Sequence, residues 1–126
     1  MSTTRTFPSR PEAVTGARLF VRDCLSEEPR ELVEAAELMA SELATNCVMH
    51  ARTDFELAVD ANDNIRIEVS DTGSGRPELL TPGSRQRTGR GLRIVETLSA
   101  GWGVTARDGG GYTVWFTLPR PRSSHA

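Results

Sequence analysis

A single α+β domain is what the 126 residues predict, on three observations. A long apolar stripe at helical spacing occupies the first half, two runs alternate apolar and polar residues about an Asn-Asp turn, and two further strand-like runs flank a Gly-Gly-Gly segment. With 37% hydrophobic and 25% charged residues, the chain is large enough to bury a core without disulfide staples. Met1 to Arg10 reads as a flexible lead or an edge strand, with Arg5 to Pro8 as its strand-like part. Residues 11–118 form the domain proper, and 119–126, rich in Pro, Arg and Ser, read as a disordered tail.

The elements follow in order. Pro11 to Leu25 carries Val14, Ala17, Leu19, Phe20, Val21 and Leu25 in a helical pattern. Ser26-Glu-Glu-Pro29 then signals a new helix over Pro29 to Ala51, offering a capping hydroxyl, acidic residues for the positive dipole end and proline in the first turn. Phe55, Leu57 and Val59 alternate up to the turn Ala61-Asn-Asp-Asn64, and Ile65, Ile67 and Val69 alternate after it, which reads as a hairpin. Thr72 to Gly89 has no periodicity, and loops of that length are lids, binding segments or disordered stretches. Leu92 to Leu98 resumes as a short helix. Val104 to Ala106 and Tyr112 to Leu118 read as strands joined through Arg107 to Gly111.

The long helix is where polar chemistry intrudes. At 100° per residue, Leu32, Met39, Leu43 and His50 fall within roughly 40° of one another and define the core-facing side. Asn46 projects roughly 20° from Met39 and Glu42 roughly 60° from it. A carboxylate, a carboxamide and an imidazole at i, i+4 and i+8 thus lie on or beside a stripe that should be apolar. Buried polar groups cost a few kcal/mol unless partnered, so something polar must meet them. Asp71 ends a predicted strand, followed by Gly73 and Gly75, which let a backbone approach a ligand or hinge. Gly89 and Gly91 precede the short helix, whose free N–H groups and positive end would hold phosphate. These glycines match neither a Walker loop nor a dinucleotide-binding fingerprint.

Other classes are disfavoured. A net charge of -2 and a pI of about 5.7 leave no footprint for nucleic acid. No basic apolar leader and no apolar run near the length of a membrane span is present, so the expected location is cytoplasmic, away from membranes. Cys24 and Cys47 have neither C-x-x-C nor histidine spacing, so reduced structural thiols are expected rather than a metal site.

Four segments together resemble a known superfamily: Glu42-Leu-Ala-Thr-Asn46-Cys-Val-Met-His50-Ala51, Val69-Ser-Asp71-Thr-Gly73-Ser-Gly75, Gly89-Arg-Gly91-Leu, and Gly111-Tyr-Thr-Val-Trp-Phe116. They are similar to the N, G1 and G2 boxes and last strand of the Bergerat-fold (GHKL) ATPases. Within that group, the short chain, Trp102-Gly-Val and Val114-Trp-Phe resemble the anti-sigma-factor serine/threonine kinases, especially the small actinobacterial type. The resemblance covers residues 11–118. It implies an α/β sandwich, with a mixed, largely antiparallel sheet, helices on one face and a lid over the nucleotide.

By the same resemblance, ATP and Mg²⁺ are the expected ligands. Asn46 would ligate Mg²⁺, Asp71 would accept from the adenine amino group, Gly73 and Gly75 would let the lid pack on the base, and Gly89 and Gly91 would present N–H groups to phosphates. Thr113 would complete the adenine pocket, His50 would line the phosphate side, and Glu42 would be the general base toward a serine hydroxyl. An anti-anti-sigma-factor protein is the implied partner, with a sigma factor as a second, and a homodimer fits the family habit. The alternative is a nucleotide-binding module that sequesters a partner without phosphoryl transfer. Tyr112 departs from the lysine common there in related small members, Arg18 falls where the family meets its partners, and Trp102 and Trp115 are expected to pack in the sheet.

Overall fold

A computed structural model describes residues 2–51, 53–71 and 99–119, with the backbone alone at His50 and Ala51. The expected lid, the helix over Leu92 to Leu98 and the tail beyond residue 119 lie outside the described residues. In chain order the elements are β1 (Ser2–Phe7), α1 (Glu12–Cys24), α2 (Arg30–Asn46), a π-helical turn (Cys47–Ala51), β2 (Phe55–Ala61), β3 (Asn64–Asp71), β4 (Gly101–Ala106) and β5 (Tyr112–Pro119). The strands form one sheet in the order β1-β2-β3-β5-β4. All four described pairings are antiparallel, in keeping with the largely antiparallel sheet expected. Hairpin connections explain this for β2–β3 and β4–β5, since short turns can join only antiparallel neighbours.

Period-two alternation decides which face is covered. Phe55, Leu57 and Val59 of β2, Ile65, Ile67 and Val69 of β3, and Val114, Phe116 and Leu118 of β5 are all buried. They meet Ala17 and Val21 of α1 and Ala36, Met39, Ala40 and Leu43 of α2, so one helix layer packs on one sheet face. The chain is an α+β sandwich. Phe7, at the end of the edge strand β1, stacks on Phe55 with ring centroids 5.5 Å apart, closing one corner of the core.

Three local details differ from expectation. Pro29, not Ser26, caps α2, with extended ψ of 146° and no side-chain cap bond, so the helix is started by proline geometry and by Glu31 in its first turn. The helical run does reach Ala51, but its last five residues form a wider π turn, which advances less per residue than an α-helix. The α-helical projection that aligned His50 with Met39 therefore does not hold past Asn46. Finally, β4 begins at Gly101 rather than Val104. Its glycines make room for Trp115: a Cβ on Gly103 would stand 2.8 Å from the indole. On its other side the same ring carries the Arg66 guanidinium, 4.3 Å from the centroid, so Trp115 packs on the outer sheet face while Trp102 packs against the core.

The two helices are pinned to each other by charge as well as by packing. Glu37, buried on α2, accepts from Arg22 of α1 through both carboxylate oxygens, at 2.9 and 3.0 Å, and Arg18 approaches to 4.0 Å. No helix among the described residues is long and apolar enough to cross a membrane.

Candidate functional site

The carboxyl end of α2 and the carboxyl end of β3 converge. Asn46 is the last residue of α2, half-buried, and Glu42 lies one turn before it, also half-buried. Beside them the Thr45 hydroxyl donates to the Ser41 carbonyl at 2.7 Å, a back-bond that loosens a helix, and the π turn follows at once. Single π turns within helices recur at ligand sites because they re-aim side chains. Cys47, immediately after Asn46, is buried, and burial together with the neighbouring Asp71 carboxylate pushes its thiol up to about 12. The thiol is thus an inert packing group, close enough to the Asp71 carboxylate to feel its charge.

Asp71 is 9% exposed and has the same parity as Ile65, Ile67 and Val69, so its side chain lies on the helix-covered face. A buried carboxylate so placed puts a polar group at the end of the sheet face that the helices cover. Thr53, between the π turn and β2, adds a buried hydroxyl with no hydrogen-bond partner among the described residues. Such a set suits a polar ligand that offers both donors and anionic oxygens.

Thr113 lies apart from this set. It is the register partner of Ser70, and the two hydroxyls are 2.8 Å apart on the outer face of the sheet, away from the helices and from Asp71. Alternation from Val114, Phe116 and Leu118 puts Tyr112, not Thr113, on the Asp71 side; the same period-two count was available in the sequence. His50 lies in the π turn and only its backbone is described. Gly73, Gly75, Gly89 and Gly91 lie outside the described residues. Sequence reasoning missed Arg107, whose Nη1 donates to the Asp71 carbonyl at 3.0 Å, because the two are 36 residues apart.

One large cleft, of about 830 Å³, opens elsewhere, between the end of α1 and the start of α2, lined by Arg22, Asp23, Glu34 and Glu37 among others. It lies at the opposite end of α2 from Asn46 and shares none of the residues above.

The sequence profile of the histidine kinase-like ATPase domain family matches residues 7–118. The chain belongs to that family. This histidine kinase-like ATPase domain is an ATP-binding, kinase-like module of GHKL type. The histidine kinase domain from Erythrobacter litoralis EL346 blue-light activated histidine kinase has a similar fold, with a TM-score of 0.56 at 21% identity over 90% of this chain. The chain spans 62% of the length of that domain. No match was found among curated protein sequences.

Proposed function

We propose that this histidine kinase-like ATPase domain acts as a regulatory protein of the anti-sigma-factor type, transferring the γ-phosphate of ATP to a serine of an anti-anti-sigma-factor partner. The observation that carries the reading is the pair Glu42 and Asn46, one helical turn apart at the end of α2, with the buried Asp71 carboxylate on the sheet face that the helices cover. The serine and the partner class are supported by the resemblance of the Trp102-Gly-Val and Val114-Trp-Phe segments to small anti-sigma-factor kinases. A sigma factor is the second partner proposed.

The donor set fits nucleotide and a hard cation. Asp71, an acceptor at the mouth of an apolar layer, receives the exocyclic amine of adenine. Asn46 offers a carboxamide oxygen, a ligand type that would suit Mg²⁺. When bound, Mg²⁺ offsets the charge that develops on the γ-phosphate during transfer. Glu42 accepts the proton of the serine hydroxyl as its oxygen bonds to phosphorus and the bond to the ADP oxygen breaks.

Glu42→Gln separates chemistry from binding. With [γ-³²P]ATP and anti-anti-sigma-factor proteins as acceptors, labelling is expected to fall by about 100- to 10,000-fold while ATP affinity stays within about threefold. Equal labelling by the variant would remove Glu42 from its role. Retention of an acceptor protein by ATP-loaded wild type with no label transferred would replace the kinase reading by partner sequestration.

A further inference from the structure

The β4–β5 hairpin reaches across the sheet to the strand end that carries Asp71. The ladder between β3 and β5 ends at Ser70 and Thr113, so Asp71 lies one position past its last pair. There the hydrogen bond comes from a side chain, as Arg107 Nη1 donates to the Asp71 carbonyl at 3.0 Å. Arg107 is itself held, because its N–H donates to the Gly111 carbonyl at 2.9 Å and its carbonyl accepts from Gly110 at 3.2 Å. Gly109, Gly110 and Gly111 have φ of 86°, 116° and 88°, values that other residues rarely adopt, so the turn that returns Arg107 toward β3 depends on them.

Fixing a carbonyl restrains rotation about the bond between it and its own Cα. It therefore steadies the frame from which the Asp71 carboxylate projects. An arginine suits this task because its planar guanidinium is always charged and binds an acceptor with a defined approach. Asp71 is paired in register with Phe55 of β2, and Arg107 supplies a hydrogen bond at its carbonyl where the β3–β5 ladder has ended.

We infer that Arg107 is a positioning residue for recognition of the nucleotide base, holding the peptide after Asp71 so that its carboxylate is presented to the 6-amino edge of a purine. This rests on the reading of Asp71 as the acceptor for that amine. Arg107 touches the backbone of Asp71 and acts through it.

The test compares ATP with purine riboside triphosphate, which lacks the 6-amino group, by calorimetry on wild type, Arg107→Ala, Arg107→Lys, Asp71→Asn and the double variant Arg107→Ala/Asp71→Asn. Arg107→Ala is expected to weaken ATP by about five- to tenfold and to leave purine riboside triphosphate within about twofold. Arg107→Lys should recover part of the loss, since an ammonium can still donate to one carbonyl. In the Asp71→Asn background, Arg107→Ala should cost nothing further, the non-additivity expected of residues that act as a unit. Equal weakening of both nucleotides, or full additivity with Asp71→Asn, would assign Arg107 a purely structural role and overturn the inference. So would unchanged ATP affinity in Arg107→Ala. If wild type itself did not prefer ATP over purine riboside triphosphate, the reading of Asp71 would fall, and the inference with it.

Discussion

Asp71→Asn is expected to weaken ATP binding by about 10- to 150-fold, the loss that follows from removing a hydrogen bond to a charged acceptor. The substitution keeps the shape of the side chain while exchanging one acceptor oxygen for a donor and removing the charge. Asp71 is 9% exposed and ends β3 beneath α2, so water cannot easily replace the lost acceptor. A variant that still melts cooperatively shows that the loss of affinity is not a loss of fold. Calorimetry paired with a thermal melt checks both halves; unchanged affinity in a folded variant would remove Asp71 from base recognition.

Phe116→Ala should have the largest effect on stability. Phe116 is fully buried on β5, between Ile67 of β3 and Trp102 of β4 in the strand register. Truncating a buried phenylalanine removes its transfer free energy and leaves a cavity, at a cost of about 3–5 kcal/mol. For a domain of this size that corresponds to a fall in Tm on the order of 10–20 °C. Urea denaturation measures it directly. A loss below about 1 kcal/mol would mean that the layer rearranges to fill the space.

Legibility in the sequence followed from how local each signal is. Leu57, Val59, Ile65, Ile67 and Val69 alternate about a four-residue turn, so the β2–β3 hairpin and its buried face could be read without the structure. Leu32, Met39 and Leu43 likewise marked the buried side of α2, and all three are at most 9% exposed. What stayed hidden depends on distant residues. Gly101 and Gly103 argue against a strand by propensity, and only the Trp115 ring lying over them explains why β4 starts there. The pairing of Arg22 with Glu37 joins two helices, and that of Arg107 with Asp71 joins a hairpin turn to a strand end; neither has a local signature. The π turn after Asn46 also has no simple sequence signal, and it breaks the angular count that tied His50 to Met39. Thr113 is different in kind, because alternation with Val114, Phe116 and Leu118 is a local signal and is enough to put that hydroxyl on the outer face beside Ser70.

The polar face of α2 is the part of the site on which function most depends. Glu42 and Asn46 stand one turn apart where the helix widens, whereas Glu37, the buried carboxylate earlier on α2, is taken up by Arg22 of α1. The decisive measurement is calorimetric titration of the folded chain with ATP, with and without Mg²⁺, for wild type and Asn46→Ala. Magnesium-dependent binding by wild type, lost in Asn46→Ala while the variant melts like the parent, is the predicted result. Absence of ATP binding by folded wild type, or identical magnesium-dependent affinity in the variant, would contradict it.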